Sequence, residues 1–157
     1  MKILAIDPGT RFAGFAIMQK NNRSIQLIDH GLLKINTTKG WAHRIGVFYD
    51  FFKEKIQQHE VTDICFETAF LYKNASTFMK LGYMRGIIYL LTHEFKLNVH
   101  EYSPCVIKQA VCARGNASKD DVARMIYKHF PTLAKNLKDD VTDAISVGIC
   151  HFNVGTR

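Results

Sequence analysis

The segment LAIDPGTRFAGFAI, residues 4–17, constrains the fold most strongly, because an apolar strand stops at a single acid and reverses at once. The first apolar run ends with Asp7, and Pro8 and Gly9 predict a turn before the next run starts at Ala13. A connection this short joins antiparallel strands. A carboxylate in a buried strand costs free energy unless something compensates its charge. The segment therefore predicts a buried hairpin with an acid that needs a partner.

The pattern of apolar residues predicts three strands, followed by helices that alternate with two further strands. The predicted strands are residues 2–7, 13–19, 24–35, 61–66 (with Glu67 closing the fourth) and 98–102. The predicted helices are residues 41–59, about 75–95, 104–112, 118–129 and 139–153. The first three strands are antiparallel, and helical crossovers make the later strands parallel. The expected fold is therefore α/β, a mixed five-stranded sheet with helices on both faces.

The composition indicates one domain in the cytoplasm. The chain has 157 residues, 47% of them hydrophobic, and shows no linker, repeat or low-complexity segment. Its apolar runs are shorter than the roughly 18 residues of a membrane span. An acid at position 7 interrupts the N-terminal run where a signal peptide would stay apolar. We expect residues 1–157 to form a single soluble cytoplasmic domain.

The cysteines and histidines show no spacing typical of a metal site. The four cysteines form no C-x-x-C pair, so we expect reduced, structural thiols. The seven histidines are scattered, and His151 lies eight residues after Asp143, too far for an obvious pairing. We expect the histidines to be surface or core residues.

The net charge of +7 suits a polyanionic partner but also fits an ordinary basic protein. The charge alone therefore does not decide between a protein that binds a polyanion and an ordinary basic protein.

Two further acidic positions are expected near Asp7. Glu67 closes an apolar strand, and the last helix opens with Asp139 and Asp140, followed by Asp143. Residues three or four apart share a helix face, so Asp143 can align with either of the two earlier acids. Those two diverge by about 100° and are not expected to point inward together. Helix geometry leaves open which of them joins the site.

Convergent carboxylates without histidine are typical of a two-metal phosphoryl-transfer site, with the ions about 3.5–4 Å apart. Hard oxygen ligands suit Mg²⁺. The helix dipole offers a simpler explanation for Asp139 and Asp140, which lie in the first turn, but it explains Asp143 poorly, because that residue leads into the apolar stripe.

These motifs resemble the RuvC family of bacterial Holliday junction resolvases, within the ribonuclease H-like superfamily. The segments that carry the likeness span nearly the whole chain: IDPGTRFAGFAI, FETAFLYKNASTFMKLGYMRG, EYSPCVIKQAV, NASKDDV and DDVTDAISVGICH. The resemblance implies a ribonuclease H-like fold and a crossover junction endodeoxyribonuclease acting in recombination and repair. It also implies two Mg²⁺ ions per subunit, with Mn²⁺ as a substitute, and paired nicks that leave 5′-phosphate and 3′-hydroxyl ends.

The resemblance also assigns roles to individual residues. The implied catalytic and metal-binding acids are Asp7, Glu67, Asp140 and Asp143, since the family spacing of three selects Asp140 over Asp139. The implied DNA-binding residues are Phe70 (an aromatic that stacks at the junction centre), Lys73, Lys108, Arg114 and Lys119. The implied partners are four-way junction DNA, a second copy of the chain, and the branch-migration complex of RuvA and RuvB. Gly82 and Gly86 make the helix at 75–95 the candidate dimer interface.

Two functions from other classes fit parts of the sequence. An actin-like ATPase also has an acid and Gly-Thr after its first strand, but it needs a second domain and a second phosphate loop. A non-catalytic junction-binding module with a relic site would keep the DNA contacts. The presence of all four acids argues against such a relic.

Overall fold

The computed structural model describes residues 1–22, 24–68 and 74–155, and its centre is a five-stranded mixed sheet. The strands are β1 (Lys2–Asp7), β2 (Phe12–Asn21), β3 (Ser24–Lys34), β4 (Asp63–Glu67) and β5 (Asn98–Tyr102). The helices are α1 (Trp41–His59), α2 (Ala75–Phe95), α3 (Pro104–Cys112), α4 (Lys119–His129) and α5 (Asp139–Val154). The strand order is β3-β2-β1-β4-β5. The strands are antiparallel from β3 to β1 and parallel from β1 to β5, which confirms the predicted strand directions.

The side chains of β1 alternate between two hydrophobic cores. Ile3 and Ala5 face the core that contains α3, α4 and α5, whereas Leu4 and Ile6 face the core that contains α1 and α2. The helices therefore cover both faces of the sheet, as predicted. Because side chains alternate with a period of two, Asp7 continues the face of Ile3 and Ala5. This alternation places Asp7 on the α5 side of the sheet.

Helix α5 packs closely on this face because glycines remove side chains at two contacts. A Cβ at Gly14 would lie 1.8 Å from the carbonyl oxygen of Asp140, and a Cβ at Gly148 would lie 2.2 Å from Sδ of Met18. Every residue of α5 from position 144 to position 152 is buried. The start of α5 is therefore held against the sheet beside the end of β1.

Local interactions fix the starts of two helices and of one strand. Ser118 forms a capping box with Asp121 at the start of α4, and Pro104 occupies the first turn of α3. Strand β4 begins at Asp63 rather than at Val61, because the Val61 N–H donates to the carbonyl of Ile56 at the end of α1.

All four cysteines are free thiols. Cys65 and Cys150 are buried, as expected of structural thiols, whereas Cys105 is exposed. Within the described ranges, no helix combines the length and the apolarity needed to cross a membrane.

Candidate active site

The four acids implied by the sequence line one cleft at the carboxyl ends of β1 and β4. Ile6 pairs with Phe66 in the parallel ladder, so Asp7 and Glu67 end neighbouring strands. The first turns of α5 bring Asp140 and Asp143 to the same cleft. The cavity measures about 570 Å³, and its polar lining consists of Asp7, Glu67, Lys108, Lys119, Asp139, Asp140, Asp143 and Ser146.

Asp7 has the most strongly perturbed acidity among the cleft carboxylates. The pKa of Asp7 is raised to about 7, first by burial and then by the negative charges of Asp143, Asp140 and Glu67. The positive charge of Lys119 acts in the opposite direction. A buried carboxylate surrounded by like charges binds a proton near neutral pH because its charge is not compensated. The same imbalance favours a bound cation at this position.

Two other acids of the cleft are perturbed in the same direction. Burial raises the pKa of Glu67, and the charge of Asp143 raises it further, against the opposing effect of Arg85, Lys108 and Lys119. Burial also raises the pKa of Asp143, while Lys119 lowers it. The cleft therefore concentrates negative charge that the nearby basic side chains neutralise only in part.

Lys119 is the basic residue that contacts the acids directly. Its Nζ lies 3.7 Å from a carboxylate oxygen of Asp139 and 3.7 Å from one of Asp143. The charge of Asp143 raises the pKa of Lys119, so the amine stays positive. Ser118 caps the helix that begins with Lys119, and this cap fixes the backbone from which the side chain extends.

A family model described as "Crossover junction endodeoxyribonuclease RuvC" matches residues 3–151. The chain belongs to the RuvC family. The RuvC of Aliarcobacter butzleri is 40% identical over 153 residues, covering 96% of this chain and 97% of the relative. The RuvC of Chlorobium phaeobacteroides is 33% identical over 158 residues, covering 100% of this chain and 84% of the relative.

A solved RuvC structure has the same fold. Thermus thermophilus RuvC, in complex with a Holliday junction substrate, superposes with a TM-score of 0.92 at 22% identity, covering 99% of this chain and 94% of that one. The likeness confirms the predicted ribonuclease H-like fold.

The DNA-binding residues that the RuvC resemblance implies lie in different places. Lys108 and Lys119 line the cleft from α3 and α4. Arg114 is not part of the cleft lining, and its guanidinium pairs with Asp121 at the start of α4. Phe70 and Lys73 fall outside the described residues, so their roles stay predictions.

Asp139 and Asp140 differ in their exposure and in their contacts. Both residues line the cleft of this RuvC-family chain, and Asp139 joins Asp143 in pairing with Lys119. Asp139 has a largely exposed side chain, whereas Asp140 is partly buried beside Gly14.

Two arginines that the sequence reasoning missed hold the backbone next to the acids. Arg85 donates to the main-chain carbonyl of Glu67, and its guanidinium lies 5.1 Å from the ring centre of Phe66. Arg44 is buried, stacks 3.9 Å from the ring centre of Trp41 and donates to the carbonyl of Thr10 in the turn after β1. The sequence signal that could have identified them is an arginine on the apolar face of a predicted helix.

The donor set of the cleft fits hard divalent cations, because it offers carboxylates and no histidine. Within the described part of the chain, no three of these carboxylates have ligand atoms that all lie within 4.8 Å of one another. The triple that meets this spacing consists of Asp63, His100 and His151, outside the cleft.

Proposed function

We propose that this chain is a structure-selective DNA endonuclease that resolves Holliday junctions by paired symmetric nicks in recombination and repair. The observation that carries the proposal is the convergence of Asp7, Glu67, Asp140 and Asp143 in one cleft with two lysines. Membership in the RuvC family supports the same substrate and reaction. The products would carry 5′-phosphate and 3′-hydroxyl ends, which a ligase can seal.

We propose that the four acids hold two Mg²⁺ ions, for which Mn²⁺ can substitute. Bound there, the ions would supply a water nucleophile and Lewis acidity for phosphodiester hydrolysis. The chain's own contribution is to fix two carboxylates at strand ends and two on the first turns of α5. Near neutral pH, Asp7 must lose its proton before it can act as a ligand, because burial and its neighbours raise its pKa to about 7.

Lys108 and Lys119 would bind the DNA phosphates next to the cleft. In the structure, Lys119 pairs with Asp139 and Asp143, each at 3.7 Å. When cations neutralise the acids, the Lys119 amine becomes available to a phosphate oxygen. Arg114 lies next to the first turn of α4, where it pairs with Asp121. At that position it would add a further phosphate contact.

Phe70 and Lys73 would engage the junction beyond the cleft. They follow Glu67 closely in the sequence AFLYKN, which mixes aromatic and basic residues. Aromatic side chains stack on exposed bases, and a neighbouring lysine contacts the backbone. We propose that Phe70 stacks at the junction centre and that Lys73 binds phosphate.

Paired symmetric nicks require two active sites related by a two-fold axis, so we propose a homodimer. One face of α2 is exposed and combines large apolar residues with two glycines; its members are Met79, Gly82, Tyr83, Gly86 and Leu90. A Cβ at Gly82 or Gly86 would meet no atom within 4 Å, so a second backbone has room to approach. This face is the proposed dimer interface.

The family also suggests the cellular context. We propose that residues 1–157 act as a single domain in the cytoplasm, on junctions that the RuvA and RuvB branch-migration complex delivers.

The deciding experiment incubates the protein with synthetic four-way junctions in Mg²⁺ and, in parallel, in Mn²⁺. We expect symmetric paired nicks in the wild type, and loss of nicking with retained junction binding in Asp7→Asn. Nicking that survives Asp7→Asn would overturn the site assignment. Junction binding without cleavage in both metals would instead identify a binding module.

A further inference from the structure

A second cluster of metal-binding side chains lies at the other end of β4 from the cleft. Asp63 begins β4, His100 lies in β5, and His151 lies near the end of α5. One potential ligand atom from each residue lies within 4.8 Å of the other two. Asp63 precedes Glu67 by four residues, about 13 Å along a strand, and His151 follows Asp143 by eight residues, about 12 Å along a helix. The cluster is therefore separate from the acidic cleft.

His151 contributes a buried nitrogen without a partner. The residue is 1% exposed, and its Nδ1 hydrogen-bonds with the Tyr102 hydroxyl at 2.9 Å. Its Nε2 is buried and has no hydrogen-bond partner among the described residues. The ring centre of His151 lies 4.5 Å from that of His100. Nε2 is therefore the nitrogen available to a ligand in this cluster, and leaving it unpaired is unfavourable.

Asp63 and His100 contact each other, and a hydrogen bond from outside the cluster holds the Asp63 carboxylate in place. Oδ1 of Asp63 lies 3.0 Å from Nε2 of His100, and Oδ2 of Asp63 accepts from the Thr62 hydroxyl at 2.6 Å. Asp63 is 4% exposed, so its carboxylate is buried within the cluster. Metal ligands in proteins are oriented by such second partners, and here Thr62 and Tyr102 supply them.

We propose that Asp63, His100 and His151 form a zinc site, distinct from the acidic cleft. Two imidazoles and one carboxylate suit Zn²⁺ better than Mg²⁺, which prefers oxygen ligands alone. Three protein ligands leave the fourth position of a tetrahedral shell to water. The ion would join β4, β5 and the C-terminal end of α5, the helix whose first turns carry Asp140 and Asp143.

The geometry needs only side-chain adjustment. Zinc bonds of 2.0–2.1 Å in a tetrahedron place ligand atoms about 3.3 Å apart. The Asp63 and His100 atoms are already 3.0 Å apart, so the ion replaces the proton between them. The widest pair in the cluster would have to close by at most about 1.5 Å, given its 4.8 Å limit.

The test measures Zn²⁺ binding by calorimetry, together with thermal unfolding, in excess Mg²⁺ that competes for the cleft acids; this choice of competitor rests on the proposed function. We expect one equivalent of Zn²⁺ to bind the wild type and to raise its Tm by roughly 5–10 °C when free Zn²⁺ exceeds its Kd 100-fold. His100→Gln and His151→Gln should each weaken binding at least about tenfold. The matched control is His93→Gln, which removes an exposed histidine of α2 and should bind as the wild type does.

Cobalt provides an independent probe of the ligand type. Co²⁺ bound at the cluster should show visible bands of nitrogen and oxygen ligation that disappear in His100→Gln. A thiolate charge-transfer band would assign the ion to cysteine and overturn the proposal. Zn²⁺ binding that is unchanged in His100→Gln, or absent from the wild type in excess Mg²⁺, would overturn it as well. If His151→Gln does not fold, His100→Gln decides alone, because its side chain is only partly buried.

Discussion

Gly14 faces the main chain of Asp140 so closely that a Cβ at position 14 would lie 1.8 Å from the Asp140 carbonyl oxygen. Gly14 is also the residue of β2 that pairs with Asp7 of β1. One glycine therefore sets the distance between the strand that carries the first acid and the helix that carries the last two.

Replacing Gly14 with alanine should reduce cleavage sharply while leaving junction binding close to that of the wild type. The added methyl group must push the start of α5 away from β2, and a displacement of about 1 Å in a catalytic group can reduce the rate about 100-fold. Overpacking of this kind also destabilises a protein by about 1–3 kcal/mol. Single-turnover cleavage and urea unfolding measure the two effects.

The control for this change is Gly46→Ala in α1, where a Cβ would meet no atom within 4 Å. This variant should cleave like the wild type and be at least as stable. Equal cleavage by both glycine variants would show that the contact between Gly14 and Asp140 does not position the acids.

In the absence of divalent cations, the contribution of Asp7 to the free energy of unfolding should fall as the pH rises from about 4 to about 7. Burial and three neighbouring acids raise the pKa of Asp7 from 3.8 to about 7. In this window the folded state keeps a proton that the unfolded chain has lost, so a higher pH favours unfolding. Above pH 7 the full penalty is present, on the order of 4 kcal/mol.

The measurement compares wild type and Asp7→Asn by urea unfolding in EDTA across this pH range. The stability advantage of Asp7→Asn should grow with pH and level off above about pH 7. Glu67 and Asp143, whose pKa values are also raised, remain in both proteins, so the difference reports Asp7 together with its coupling to these neighbours. Mg²⁺ should stabilise the wild type more than the variant. Parallel stability curves would contradict this prediction.

The sequence was sufficient to predict the five strands, because each combines an apolar run with a turn or a change of period. Glu67 was also expected near Asp7 from the sequence. The structure gives the reason, because the two residues end neighbouring parallel strands, whose carboxyl ends meet at one edge. The preference for Asp140 came from the family resemblance alone, because helix geometry allowed Asp139 equally well.

Contacts between distant elements could not be predicted from a single sequence. Gly14 matters because of the distance between β2 and α5, which no local pattern encodes. His151 was expected to be a surface or core residue, and it is buried, but its neighbours Asp63 and His100 lie in strands far away in the sequence. In the sequence, the position of His151 was compared only with that of Asp143, and this spacing gave no reason to group His151 with Asp63 and His100.

Replacing Lys119 with methionine should weaken junction binding and lower its dependence on salt. Each phosphate contact that is lost reduces the slope of log K against log salt by about 1. The change also removes the charge that lowers the pKa values of Asp7, Glu67 and Asp143, so the pH profile of cleavage should shift upward.

Lys128→Met is the control for Lys119→Met, because it removes the same charge from the exposed far end of α4. Its cleavage profile should keep the wild-type pH midpoint. Binding titrations at several salt concentrations and cleavage rates between about pH 6 and 9 provide both readouts. A pH shift of equal size in the two variants would mean that net charge, and not the contact with the acids, causes it.

Replacing Arg85 with methionine should lower kcat, shift the cleavage profile to higher pH and destabilise the fold. Arg85 donates to the carbonyl of Glu67, so its loss leaves the end of β4 without this support, at a cost of about 1–3 kcal/mol. The arginine charge also lowers the pKa of Glu67, so in its absence Glu67 ionises at a higher pH. If Glu67 is a metal ligand, as proposed, cleavage needs its ionised form, and the acidic limb of the profile should move upward.

Arg124→Met removes an exposed arginine of α4 and serves as the comparison for Arg85→Met. We expect it to cleave with the wild-type pH profile. The decisive readout is the pH midpoint of kcat, because a general loss of stability would lower the rate without moving the midpoint. An Arg85→Met profile with the wild-type midpoint would restrict Arg85 to a purely structural role, whereas a shift absent from Arg124→Met would establish Arg85 as a positioning residue for Glu67.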